Sequence, residues 1–398
     1  MAASSSAHII VDPDGDLFLL LNPTIPNSTK SDYSSLADPE AINAPTDDIS
    51  TELQMIRSLE GGMVQTWQDE PPPIYSDHIL VSSKHMCLAS PVFKAMLQGE
   101  FKQSVTLKTM GKLEVPLPDD NPTAMKILIN IIHGRMSMVP LKIALELFCQ
   151  IAILVDKYQC REIVQLLPPV WKNEFSHTFS QGQWVDIVHW VCIAWQFELE
   201  DEFLKATQII RERSSWTMEN LIGCIKYDLP IPNYVVGKFS VALSTKSLTF
   251  PDKIESCRLE GMRKVCKIIQ DTITKYQSSS YSCSATNIPW VIDTSDKHHG
   301  IANDLPSYRN DCDSMVLGSL IKSSVSNGLY PLPEQPYTLW SLNSLTAKVK
   351  LLKADSLCFK LTQEKLEDHN ITGSIRKSVK AIDKSGLSLS ICKELAFC

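Results

Sequence analysis

The stretch VSSKHMCLASPVFKAML, Val81 to Leu97, decides how this chain is read. Ser90 is a preferred N-cap, and Pro91 falls at the first helical position, where its missing N–H is not needed. Val92 and Met96, together with Phe93 and Leu97, recur at four-residue spacing on one apolar stripe, and Gly99 stops the helix. Working outward, residues 77–81 read as a strand. Leu113, Val115 and Leu117 alternate with polar or proline positions and predict another, with Pro116 suited to a sheet edge. Asn121-Pro122 repeats the cap-plus-proline device before Met125, Leu128, Ile129 and Ile132, and Gly134 closes that helix. A further helix starts near Pro140 with Ile143, Leu147, Ile151 and Leu154, a short one follows at 161–167, and Pro168-Pro169 ends the block.

On the N-terminal side, residues 17–21 form a short apolar run that reads as a buried strand. Asp12, Asp14 and Asp16 have the spacing that opens a calcium loop. The glycine that such a loop needs at its sixth position is Leu17 here, and its twelfth residue is Pro23, so a turn before the strand is the better reading. Residues 22–75 carry scattered prolines among Ser, Thr and Asp, with one short helix expected at 51–59. Beyond the block the pattern is helical at 184–199, 202–213, 218–226 and 252–276. A Ser-rich boundary then leads to a small region with proline-rich turns.

Of 398 residues, 44% are apolar and 21% charged, an ordinary globular balance. The net charge of -7 is unevenly placed: residues 1–75 hold 2 basic and 12 acidic side chains, 76–175 hold 11 and 9, and 176–398 hold 25 and 24. This balance argues mildly against a protein whose main work is gripping a phosphate backbone, which needs dense Lys and Arg, and leaves a local basic patch open. Twelve cysteines without a C-x-x-C pair read as reduced, intracellular thiols. The first residues lack a leader pattern, and the longest apolar runs are too short for a bilayer, so neither secretion nor membrane insertion is expected.

Phosphate-loop, dinucleotide, zinc-protease and hydrolase motifs are all absent. One chemical grouping stands out: Cys283, His298, His299, Cys312, Cys358 and His369, four of which could close a tetrahedral zinc site. Their spacing matches no short zinc signature, and buried free cysteine is common, so packed thiols are expected instead, with no metal and no cofactor. Trp184, Trp190 and Trp195 read as core rather than a ligand pocket, and Lys348, Lys350 and Lys353 as a solvated helix face.

The run 81–97, the strand 113–117, the segment 119–134 and the helices 141–158 and 161–167, taken in that order, resemble a BTB/POZ domain, and more closely fungal BTB domain-containing proteins. The stretches CDSMVLGSL (312–320), LPEQPY (332–337) and GLSL (386–389) are similar, more weakly, to the C-terminal halves of such proteins. The resemblance implies an α+β fold: a BTB/POZ-like helical cluster with a small flanking sheet, followed by an α-helical region and a small mixed C-terminal domain. Its first strand lies in 9–21, an acidic insertion in 22–75, the BTB/POZ-like domain in 76–175, the helical domain in 176–276 and the mixed region in 277–398.

It also implies a non-enzymatic association module without catalytic residues, acting by self-association or partner docking. Some relatives are adaptors for cullin ubiquitin ligases and carry a hydrophobic-x-Glu motif after this helix. The matching triplet here is Phe101-Lys102-Gln103, where glutamine keeps shape and hydrogen bonding but loses the charge. Many relatives place a histidine eight residues before the motif serine; Ser82 stands there and His85 is offset. The candidate partner-binding residues are therefore Met96, Phe101, Lys102 and Gln103, with Phe101 open to a second reading as a loop residue folded onto the domain. Expected partners are proteins, either a second copy or a cullin scaffold, and neither nucleic acid nor a membrane. A metal- or thiol-dependent enzyme is the alternative from another class.

Overall fold

Short apolar runs at Ala7–Ile10 (β1), Leu17–Thr24 (β2), Ile74–Val81 (β3) and Leu113–Pro116 (β4) assemble into one sheet of order β1-β3-β2-β4 in the computed structural model. The structure describes residues 7–24, 73–175, 177–232, 235, 253–278, 280, 282–286, 305–337, 339–362 and 369–394. The protein is mixed α+β, with helices dominating and this sheet the only one among the described residues. The described residues fall into two compact units, one running to Ala89 plus Phe93–His133, the other Ser90–Val92 plus Gly134 onward.

In the first unit β2 is a central strand, antiparallel to β3 and parallel to β4. Leu17, Leu19 and Leu21 are fully buried and Leu20 nearly so, as an interior strand covered on both faces requires. Leu113 and Val115 point inward from the edge strand β4 while Glu114 and Pro116 face out, and Leu117, just past the strand, is buried as well. Segment 9–21 holds more than one strand. Ala7–Ile10 pairs in parallel with β3, and the turn at Asp12-Pro13-Asp14-Gly15 separates it from β2. Asp14 donates its N–H to Asp12 Oδ1 at 3.0 Å. Asp16 accepts from the N–H and hydroxyl of Ser83, both at 2.7 Å, so these carboxylates organise a turn and a helix start. The last residues of β2 pair with the first of β3, Thr24 with Ile74, so the intervening chain leaves and re-enters the sheet at one place. The expected helix at 51–59 and most of the 22–75 insertion lie outside the described residues.

Helices Ser83–Ala89 (α1) and Pro91–Gln98 (α2) follow β3, and Phe93 and Leu97 are the buried pair of the stripe. Lys102–Met110 (α3) was not expected; its sequence has no apolar period, and only Ser104 is buried along it. Pro122–Ile132 (α4) begins as its sequence predicts, with Asn121 Oδ1 accepting from the N–H groups of Thr123 at 3.1 Å and Ala124 at 3.0 Å.

In the second unit the helix expected from Pro140 begins only at Leu145 and runs to Lys157 (α5); of the expected stripe Ile151 and Leu154 are buried while Ile143 and Leu147 are half-buried, and Leu145, Phe148, Cys149, Ala152 and Val155 complete the buried face. Pro168-Pro169 does not end the block but opens a one-turn helix, Pro168–Lys172, as proline in a first turn can. The apolar helix Trp184–Phe197 (α6) lies in the middle, between α5 and Glu200–Arg213 (α7). Further on, Lys253–Gln277 (α8), Leu305–Ser326 (α9), Leu342–Lys350 (α10) and Ile371–Lys380 (α11) share a core of Met262, Val265, Ile269, Val316, Leu320, Leu345, Val349 and Ile375. The 277–398 region, expected to be mixed, contains only helices among its described residues. Its proline-rich turns connect α9 to α10, with Leu329 and Tyr337 packed into the helical core. No helix among the described residues is long and apolar enough to cross a membrane.

The 383–389 segment straps onto α7. Arg211 donates to Ser385 O at 2.7 Å and Asp383 O at 2.8 Å, and the Leu387 N–H donates to Thr207 Oγ1 at 2.8 Å. Between these anchors Gly386 comes so close that a Cβ would sit 1.9 Å from Leu204 O, which only glycine allows. Glu198, in left-handed conformation after Phe197, pairs with Arg161 and with Lys393, the latter at 2.7 Å. Hydrogen bonds from Arg161 and then Lys393 hold its carboxyl at about 2. A carboxyl depressed below its unfolded value of about 4.3 stabilises the fold above that pH and loses the contribution as pH falls toward its folded value. Denaturant unfolding between pH 5 and pH 2 should therefore show a shallower loss of stability in Glu198→Gln than in the native chain. The difference will be small because the carboxylate is half exposed, and identical slopes would refute the assignment.

Candidate functional site

The residues singled out for partner binding lie on the α2–α3 side of the first unit. Met96 is half-buried beside the packed Phe93 and Leu97, whereas Phe101, Lys102 and Gln103 are all exposed at the start of α3. Phe101 serves as the N-cap of α3, and its carbonyl accepts from the Ser104 and Val105 N–H groups at 3.0 and 3.3 Å. The residue is 60% exposed, so it is not folded into the core. Val105, one turn on, and Met110 are exposed as well, as is Leu88 on α1. The Ser82 N–H donates to His133 Nε2 at 3.1 Å while His133 Nδ1 donates to Ile129 O at 2.9 Å, and the His85 ring lies 4.9 Å from that of His133. A histidine from the end of α4 thus holds the backbone of Ser82.

A second site forms in the C-terminal helices. Just after α8, the Ser282 N–H donates to Asp313 Oδ2 at 2.7 Å, and Arg309 donates through Nε and Nη2 to Ala285 O at 2.8 and 2.6 Å. These bonds strap residues 282–285 against α9, on either side of Cys283. Tyr308 and Cys312 lie one turn apart on α9 and face the strap. Cys358 sits in the first turn of Leu357–Thr362, and His369 precedes α11.

Their reactive atoms converge. Cys358 Sγ is 3.6 Å from both Cys283 Sγ and Cys312 Sγ, Cys312 Sγ is 3.2 Å from His369 Nε2, and all four atoms lie within 4.8 Å of one another. The sulfurs are too far apart for disulfides, which need about 2.05 Å. The three cysteines are buried among Ala285, Leu305 and Leu357, and His369 is half-buried. Backbone groups of Ala285 stabilise Cys283 Sγ, those of Leu357 and Cys358 stabilise Cys312 Sγ, and Tyr308 donates its hydroxyl to Cys358 Sγ at 3.6 Å. Burial first, then neighbouring sulfur, pushes the Cys283 thiol up to about 12 and raises Cys312 and Tyr308.

Four of the six Cys and His residues grouped by sequence are thus brought together, while His298 and His299 lie outside the described residues. No short spacing could have announced the set, since Cys312 stands 46 residues from Cys358 and 57 from His369.

The remaining candidates resolve into packing. Trp190 is buried, while Trp184 and Trp195 are half-buried. A cleft of about 350 Å³ beside Trp190 is lined by Lys172, Glu202 and Lys205, but Lys172 is paired with Glu202 at 3.0 Å and Lys205 lies over the Phe179 ring. The three lysines do not form one solvated helix face: Lys348 is half-buried, donates to Asn327 O at 2.9 Å and lies over Trp340, Lys350 is exposed at the end of α10, and Lys353 is exposed beyond it. Comparison with protein-family models, with curated proteins and with solved structures finds no match to this chain.

Proposed function

We propose that this protein is a non-enzymatic association module whose BTB/POZ-like N-terminal unit binds a second copy of the chain through α3. The supporting observation is that α3 is nine residues long and buries only Ser104, leaving Phe101, Val105 and Met110 in water. An isolated helix shorter than about 12 residues is marginal in water, and helices in proteins are stabilised mainly by packing an apolar face. A partner supplies that packing, and exposed apolar clusters of this kind mark interaction surfaces. The order of elements, two adjacent antiparallel strands, a helical pair carrying the S-P-V-F run and an edge strand, supports the family reading.

Sedimentation of the full chain should show a concentration-dependent dimer that Phe101→Glu or Val105→Glu weakens at least tenfold, since a charge at the centre of an interface of about 1,200–2,000 Å² loses its hydration. A strict monomer at tens of micromolar would overturn the proposal. Docking of a cullin scaffold is a second reading, favoured by the exposure of all three residues of the Phe101-Lys102-Gln103 triplet. It requires that a cullin be captured by the chain, and more strongly by Gln103→Glu.

A further inference from the structure

We infer that Cys283, Cys312, Cys358 and His369 bind one zinc ion in a closed, four-coordinate structural site. Zinc–sulfur bonds of about 2.3 Å in tetrahedral geometry place ligand sulfurs about 3.7 Å apart, and zinc–nitrogen bonds of about 2.0–2.1 Å bring a histidine nitrogen slightly closer. Three of the six donor separations, at 3.6, 3.6 and 3.2 Å, follow that pattern in both respects, and all six lie within 4.8 Å. Three thiolates and an imidazole form a donor set that prefers zinc over magnesium, calcium or manganese, which favour oxygen. The nitrogen facing Cys312 Sγ is Nε2, so that atom is the ligand, with Nδ1 left to carry the proton.

The surroundings are those of a ligand shell rather than of chance packing. Asp313 and Arg309 fix the strap that carries Cys283, and both stand on the helix that carries Cys312. Backbone groups reach the sulfurs of Cys283 and Cys312, and Tyr308 reaches that of Cys358, the outer contacts that orient metal-binding side chains. All four positions are filled by protein, which leaves no site for substrate and makes the role structural. Zinc would tie together four segments that no disulfide joins: the strap after α8, the helix α9, the turn at Cys358 and His369, two residues before α11. This inference uses none of the residues on which the proposed dimer depends, so either can fail alone.

The test is elemental analysis of the full chain, purified with zinc in the medium and passed through gel filtration. About one zinc per chain is expected. Cys358→Ser should fall below about a tenth of an equivalent, while Cys224→Ser, at an exposed cysteine outside the cluster, keeps its zinc. Should Cys358→Ser fail to fold, His369→Cys preserves four donors and should retain the metal. Independently, native chain stripped with chelator and titrated with cobalt(II) should develop thiolate-to-cobalt charge transfer and tetrahedral ligand-field bands, which zinc(II) then displaces. Native chain with less than about a tenth of an equivalent of zinc and no cobalt spectrum would overturn the inference, as would full zinc content in folded Cys358→Ser.

Discussion

Replacing Trp190 with alanine is expected to destabilise the second unit by about 3–5 kcal/mol, the range for truncating a fully buried large aromatic. Trp190 is 1% exposed, and its indole N–H donates to Thr178 Oγ1 at 2.7 Å. Its ring stacks on Phe179 at 5.1 Å and meets Phe148 and Phe175 edge-on at 6.4 and 6.3 Å. Alanine removes the area that these rings bury, leaves a cavity that α5 and α6 can close only in part, and strips Thr178 of its donor. Trp190→Phe should recover most of the packing but not the hydrogen bond. Urea unfolding of the full chain reads both variants. A loss below about 1 kcal/mol for alanine would mean that the site collapses freely, contrary to the close packing of three aromatic neighbours.

A loss of similar size, about 3–5 kcal/mol, is expected for Arg258→Ala, because it removes one partner of a buried ion pair. Arg258 is 1% exposed on α8; its Nε donates to Glu255 at 2.9 Å and its Nη1 to Trp340 O at 3.4 Å. Glu255 is itself mostly covered, so removing the guanidinium strips a desolvated carboxylate of this counter-charge. Arg258→Met with Glu255→Gln keeps volume and removes both charges, and should restore much of the loss. Unfolding of Arg258→Met, of Glu255→Gln and of the double variant forms a cycle that isolates the pair. Additive effects would show that the ion pair contributes nothing beyond its separate members.

Where burial imprints a period on the chain, the fold was legible. The stripe at Phe93 and Leu97, the Asn121 cap, and the inward Leu113 and Val115 each record a local structure that packs on a core. The helix α3 left no such record because it buries only Ser104, and the strand Ala7–Ile10 is too short to carry an alternation of its own. For the helix expected from Pro140, spacing alone left the start and the facing side open. Packing kept Ile151 and Leu154 of the expected stripe but added Leu145, Phe148 and Cys149 and left Ile143 and Leu147 half-buried. Proline-rich sequence after residue 327 suggested a mixed region because turn residues report where the chain bends and not what it connects.

The candidate metal site shows the same division. Residue type alone assembled a set of six that contains all four proposed ligands, because Cys and His are the residues that build closed zinc sites. Sequence could not choose among them or reject ordinary buried thiols, since no ligand pair has a short zinc-motif spacing. By itself, then, the sequence determined which local segments bury a face, where helices are capped, that the acidic excess lies before residue 76 and which side chains have the chemistry to bind metal. Only the tertiary structure decided that the sulfurs of Cys283, Cys312 and Cys358 and the imidazole of His369 meet within 4.8 Å. It alone also left Phe101 and Val105 exposed on α3. The physical reason is range: caps and stripes act over a few residues, whereas donor convergence and the exposure of a face are set by segments dozens of residues apart.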